Sequence, residues 1–350
     1  FFVLGMLMSP TLFGQSVIRG PYLQRATFDG ITICWRTDVP TDSRIRYGSA
    51  PGQLTNVWDD STQVTDHFIH LTGLSPNTTY YYSIGTSTTV LKGDDNLHFF
   101  EVLPPQGVAQ PVRFWAIGDF GKGNDKQKWV RDAYMAEIQQ TGKADGWIWL
   151  GDNAYSDGTD QEYQQHVFDS VNGYPAIFPN TNLWPCPGNH DYNSVNLLSS
   201  PDQHTGPYFD IFEVPTNGES GGTPSGYELY YSYDYGNVHL LSLNSEITTW
   251  NINNNSDFHT WLQNDLSNNQ LPWVIAYFHQ PPHSKGSHDS DDFWEIPMSI
   301  MRNNVMPVLE SYGVDLILSG HSHSFERSFL VEGHYGNSGD FNPNVHGVYM

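Results

Sequence analysis

Over the first hundred residues, apolar and polar positions alternate in short runs. ITICWRT (Ile31 to Thr37) and RIRYG from Arg44 read as strands on that alternation, and HFIHLTGL leads into the turn Ser75-Pro76-Asn77 before TTYYYSIGT. Gly, Pro, Asn and Asp punctuate these runs, so residues 17–103 predict a small antiparallel β-sandwich. VLPPQGVAQP, Val102 to Pro111, is Pro-rich and marks a domain boundary. From residue 112 to 350 the pattern changes. RFWAIGDFG is an apolar strand closing on Gly-Asp, KQKWVRDAYMAEIQQ is compatible with a helix, and DGWIWLGDNAY is a second apolar strand closing on Gly-Asp. That order implies α/β layering. NLWPCPGNHD, VHLLSLNS, WVIAYFHQPP and VDLILSGHSH repeat the theme, each delivering polar residues at the end of an apolar run. Such ends are where α/β sheets gather their ligand sites, because the loops beyond buried strands converge. GVYM, Gly347 to Met350, reads as the middle of a strand.

Charge narrows the function classes. Lys plus Arg number 15 against 38 Asp plus Glu, a formal net charge of -23, so nothing supplies the basic field that nucleic acid or an anionic membrane surface requires. A phosphate ester remains an admissible substrate if bound cations provide local positive charge. Phe1 to Leu12 is an apolar run too short to span a bilayer, followed by Gly14-Gln15. Residues 1–15 are read as the remnant of a signal peptide, which predicts export to the periplasm, the cell surface or the medium with no membrane insertion after its removal. Cys34 and Cys186, assigned to different domains, are expected as two buried thiols.

Five clusters carry candidate chemistry. Gly118-Asp119-Phe120-Gly121 and Gly151-Asp152-Asn153-Ala154-Tyr155 each place a carboxylate at a strand end. Gly188-Asn189-His190-Asp191 offers an amide oxygen, an imidazole and a carboxylate, His279 closes the run before Gln280-Pro281-Pro282-His283, and Gly320-His321-Ser322-His323 follows VDLILS. Alternate residues of an extended strand share a face, so His321 and His323 are expected to point into one site. Mixed O and N donors suit Zn, Fe or Mn. Two such cations about 3.5–4 Å apart can hold the attacking and leaving oxygens of an in-line displacement and supply hydroxide near neutral pH. Singly, each cluster has a duller reading as a turn, a helix cap or a surface pair; jointly and in this order, they point to a hydrolytic metal site.

GDFG, GDNAY, GNHD, the histidine of YFHQPPHS, and GHSHSFERS resemble the five ordered motifs of the purple acid phosphatases within the calcineurin-like metallophosphoesterases. GLSPNTTYYYSI resembles fibronectin type III-like modules, such as precede the catalytic domain in large members. The resemblance implies a four-layer α/β/β/α metallophosphoesterase domain after the β-sandwich. It implies Fe(III) on Asp119, Asp152, Tyr155 and His323, and a divalent metal (Zn, Fe or Mn) on the bridging Asp152 with Asn189, His279 and His321. His190 would face the substrate phosphate, with His288 as a second substrate-facing histidine and His283 as its rival. The implied activity is hydrolysis of phosphate monoesters, hence small phosphorylated substrates, by metal-bound hydroxide. A phosphodiesterase or nucleotidase on the same metals and a cell-surface binding protein are the competing readings. The sequence departs from the family pattern at Ala276-Tyr277-Phe278-His279, where valine is usual at the first position, and at Phe325, where tyrosine is usual. Glu326 and Arg327 are expected to brace their loop.

Overall fold

The computed structural model describes residues 15–195, 204–246 and 256–348. The apolar run Phe1 to Leu12 lies outside them. Strands β1 (Val17–Gln24), β2 (Ile31–Gly48), β3 (Asn56–Leu71), β4 (Thr79–Gly85), β5 (Val90–Gly93) and β6 (Phe99–Glu101) build the N-terminal module. ITICWRT and RIRYG are halves of a single strand, β2, whose pairing with β3 breaks register between Arg36 and Ser43. Pro40 lies in that break, where it removes a ladder donor. The first half of β2 pairs with β1 and the second with β4. Ile31, Ile33 and Trp35 from one half and Ile45 from the other enter the same core with Ile69, Tyr82, Ile84 and Phe100, so the sheet closes over itself as a sandwich.

The expected polar face of ITICWRT is not solvated. Residues 31–35 are all buried, because Cys34 and Tyr22 turn away from the sandwich core and pack with Trp147 and Trp149 of the next domain. Cys34 and Cys186 are free, buried thiols.

The second domain stacks two sheets. β7 (Phe114–Ile117), β8 (Gly146–Leu150) and β9 (Asn182–Cys186) are parallel; β10 (Tyr231–Tyr235), β11 (Val238–Ser242), β12 (Trp273–Phe278) and β13 (Leu316–Ser319) form the other. Period-two side-chain alternation explains the apolar runs. In β8, Ile148 and Leu150 meet Tyr231, Tyr233 and Leu240 between the sheets, while Trp147 and Trp149 meet Tyr163, Val167, Tyr174 and Phe178 outside. On the far side, Leu241, Ala276 and Phe278 pack against Leu262 and Leu266 of helix Asp257–Asn268 and against Met301 and Leu309. The result is helix, sheet, sheet, helix. At ~25 cal/mol per Å², a fully buried tryptophan such as Trp147 contributes roughly 4–6 kcal/mol.

The two sheets of the chain's halves also meet edge to edge. β1 runs parallel to β9, with Leu23 opposite Asn182 and Gln24 opposite Leu183, so one nine-stranded sheet passes through both modules. No described helix is long and apolar enough to cross a membrane.

Candidate metal centre

The strand ends converge on one spot. Asp119 follows β7, Asp152 follows β8, Asn189 opens the short helix Asn189–Tyr192 after β9, His279 follows β12, and His321 and His323 follow β13. Four of these residues leave their strands through left-handed backbone: Asp119 at φ 57°, Asp152 at 52°, His321 at 68° and His323 at 52°. Side chains rarely adopt that region, and each costs about 1–2 kcal/mol, so the surrounding packing must over-determine them. His321 and His323 therefore do not converge as alternate residues of an extended strand. β13 ends at Ser319, and the two left-handed turns do the aiming. The glycine before Asn189 is required by close approach, since a Cβ at Gly188 would lie 2.4 Å from Asp152 Oδ1.

The Tyr155 hydroxyl, with one proton to give, lies 2.9 Å from Asp119 Oδ1, 3.0 Å from Asp152 Oδ2 and 3.2 Å from His323 Nε2. His323 Nε2 is 3.2 Å from Asp119 Oδ1. On the other flank, His279 Nε2 is 3.3 Å from Asp152 Oδ1 and 3.2 Å from His321 Nδ1. Donor atoms of Asp119, Asp152 and His323 all lie within 4.8 Å of one another, as do those of Asp152, His279 and His321, so Asp152 belongs to both groups. Backbone amides complete the frame, with His190 N donating to Asp152 Oδ1 at 2.8 Å and His321 N to Asp119 Oδ2 at 2.7 Å.

These donors fit a pair of cations. Asn189 Oδ1 is buried and accepts no hydrogen bond, a costly state for an amide oxygen unless a cation occupies its lone pair. Imidazole nitrogens facing each other at 3.2 Å need a proton or a metal between them. In the chain itself, burial opposes charge on His279, but Asp152 carries its pKa up to about 10. Burial, with His279 and His288 beside it, holds His321 down to about 4. Burial likewise favours a neutral Asp152, yet the His279 charge and hydrogen bond lower its pKa. Burial and the two aspartates push the Tyr155 phenol far above its ordinary value.

His190 donates from Nδ1 to the Ser156 carbonyl at 2.5 Å, which leaves Nε2 on the side of Asp152 Oδ2, 3.8 Å away. His288 stands with its ring 4.0 Å from that of His321 and 6.0 Å from that of His323. His283 is not brought to the site. It stacks on His334, bonds that residue's carbonyl at 3.1 Å, and burial lowers its pKa to about 4. Its place directly after the Pro281-Pro282 pair carries it past the donors. Glu326 does brace its loop, accepting from Ser284 Oγ at 2.7 Å and Ser322 Oγ at 2.8 Å, while Phe325 is 95% exposed.

Two supporting residues gave no sequence signal of their role. Glu295 accepts from His288 Nδ1 at 2.5 Å and from His321 Nε2 at 3.3 Å. Asp191 is buried and accepts from Gly188 N, Asn153 N and Nδ2, and the Tyr163 hydroxyl, tying the two loops that carry Asp152 and Asn189. Asp191 stood inside a quoted motif; Glu295 lies in an irregular loop.

Residues 112–325 match the family model of the calcineurin-like phosphoesterases, and residues 22–99 match that of the purple acid phosphatase N-terminal domain. The chain belongs to the calcineurin-like phosphoesterases, with a first domain similar to that of the purple acid phosphatases. Purple acid phosphatase 18 of Arabidopsis thaliana is 26% identical over 316 residues, covering 85% of this chain and 63% of that one. Acid phosphatase type 7 of Danio rerio is 25% identical over 335 residues, covering 87% and 69%. The solved structure of purple acid phosphatase PPD1 from yellow lupin superposes with a TM-score of 0.62 at 19% identity, over 86% of this chain and 57% of that one, a likeness of fold. The chain spans about half to two thirds of the length of such curated relatives. The likeness to the purple acid phosphatases implies a dinuclear metal centre.

Proposed function

We propose that this protein hydrolyses phosphate monoesters, with Asp119, Asp152, Tyr155 and His323 holding Fe(III) and Asp152, Asn189, His279 and His321 holding a divalent Zn, Fe or Mn ion. The observation that carries the reading is Asp152, whose two oxygens serve separate donor groups, opposite an Asn189 oxygen with no other partner. Such a pair, when bound, supplies Lewis acidity and acidifies water.

The chain's own groups do the rest. Asp119 and Asp152 offer fixed negative charge, held by backbone N–H donors that need no reorganisation during turnover. His190 presents Nε2 because its Nδ1 is committed to Ser156, and His288 is oriented in the same way by Glu295. Both are placed to donate hydrogen bonds to a phosphoryl or leaving-group oxygen. Small phosphorylated substrates follow from this, and the reading includes export, on the apolar run Phe1 to Leu12.

The test is Asp152→Asn, with elemental analysis beside turnover of p-nitrophenyl phosphate and of its bis ester. Loss of turnover together with metal is expected, as is a monoester preference in the wild type. Undiminished activity with full metal occupancy would overturn the reading.

A further inference from the structure

His190 is only partly enclosed. Its side chain is 32% exposed, so packing alone does not fix the ring. The Ser156 carbonyl does that work, accepting from His190 Nδ1 at 2.5 Å and from Asn193 Nδ2 at 3.2 Å. The ring also packs against Tyr155, with centroids 4.5 Å apart, and its Nε2 lies 3.8 Å from Asp152 Oδ2. What holds Ser156 therefore decides where His190 Nε2 points.

Ser156 is held by Glu162. One carboxylate gathers the loop, accepting from the backbone N–H of Ser156, from Asp157 N and Thr159 N at 3.0 Å each, and from the Thr159 hydroxyl at 3.0 Å. Thr159 Oγ1 in return accepts from Glu162 N at 3.2 Å, closing a capping box on the turn Asp160–Glu162. That turn is fastened to the N-terminal module. Arg19 of β1, only 1% exposed, donates from Nη2 to Asp160 Oδ1 at 2.8 Å, and Arg36 of β2 donates from Nη1 to both Asp160 oxygens at 2.9 and 2.7 Å. Arg19 Nε also bonds Gln164 Oε1 at 3.0 Å, and Gln164 Nε2 returns to the Ile18 carbonyl at 2.6 Å. A buried guanidinium is tolerated only with partners in good geometry, so this joint is stiff.

We infer that the N-terminal module positions a group of the reaction. Arg19 and Arg36, through Asp160 and then Glu162, lock the Ser156 peptide that orients His190. Glu162 and Asp160 are positioning residues, since neither touches the proposed substrate space. The inference rests on the proposed function for one premise, that His190 faces substrate.

A double-mutant cycle tests it on the full chain as purified with its metals. His190→Ala is expected to lower kcat by roughly 10²-fold. Glu162→Gln is expected to lower kcat by roughly tenfold, the scale of a displaced reacting group, with KM and metal content changed less than about twofold. In the His190→Ala background the same substitution should add nothing, because its effect passes through His190. Asp160→Asn, half exposed and one link further out, should show a smaller loss, roughly threefold, that also vanishes in that background. Should Glu162→Gln compromise folding, Asp160→Asn carries the same comparison alone. Unchanged kcat in the folded single variants overturns the inference. So does an equal loss with and without His190, the result of a merely structural role. If His190→Ala itself leaves kcat intact, the premise about the site falls, and this inference with it.

Discussion

In the second sheet, His239 of β11 stands between Asp234 and Asp265, each 2.7 Å from one of its ring nitrogens; at the strand ends, His279 stands 3.2 Å from another imidazole. Both clusters are buried and both are made of histidine and aspartate. Around His239 every oxygen is used. Asp234 Oδ2 accepts from Gln106 at 2.5 Å, and Asp265 Oδ1 accepts from Ser232 Oγ at 2.6 Å and Thr223 N at 3.0 Å. Around His279, Asn189 Oδ1 is orphaned and four side-chain-bearing residues take left-handed backbone. The composition is shared and the satisfaction is opposite. A closed cluster is a brace; an open one, kept at a cost in strain, is a place for something else to bind.

Asp152→Asn should have the largest effect on that contrast, because it removes one charge from both donor groups. Turnover is expected to fall by more than the ~10²-fold typical of a supporting residue, with loss of metal by elemental analysis and with little change in the unfolding midpoint. His239→Leu should do the reverse. Stranding two buried carboxylates costs about 3–5 kcal/mol by urea unfolding, while metal content and turnover per folded molecule stay unchanged.

The closed cluster also predicts a pH dependence. Burial opposes charge on His239, but the two aspartates raise its pKa to about 9. Its folded value lies above the unfolded one, so its stabilisation is complete below pH ~6.5 and is lost as pH rises through about 9. Urea midpoints should therefore decline between pH 7 and about 9.5 in the wild type, and the decline should be shallower in His239→Leu, where only groups such as His279 still contribute. Glu295→Gln should give the smallest change. It weakens the anchor of His321 Nε2 and His288, so metal affinity measured by chelator competition should drop by about 10–100-fold with stability retained. An unchanged affinity would reduce Glu295 to a loop contact.

Much of the open cluster was legible in the sequence, because each donor follows an apolar run and most follow a glycine. Those positions are fixed by local chain geometry. Tyr155 was legible only through its resemblance to a family motif. The supporting residues depend on which segments meet, and no periodicity records that: Glu162 ends the single helical turn Asp160–Glu162, Glu295 lies on an irregular segment, and His239 occupies what reads as a polar face of VHLLS. The misplacement of His283 has the same origin, since nearness along the chain to a strand end does not say which way the next turn runs. The fold shows the matching division. The α/β layering follows from apolar runs closing on polar residues, the count of four layers was legible only through the family resemblance, and the junction of β1 with β9 joins segments remote in sequence.

That junction has a consequence for how the molecule can be divided. Cutting at the proline-rich stretch would strip β9 of one of its two neighbours, β1, and leave unpaired N–H and C=O groups on the flank of a hydrophobic sheet, an invitation to self-association. The proline-rich stretch is a seam in the sequence but not in the hydrogen-bonded sheet, and a transplantable catalytic half would have to carry its first strand along.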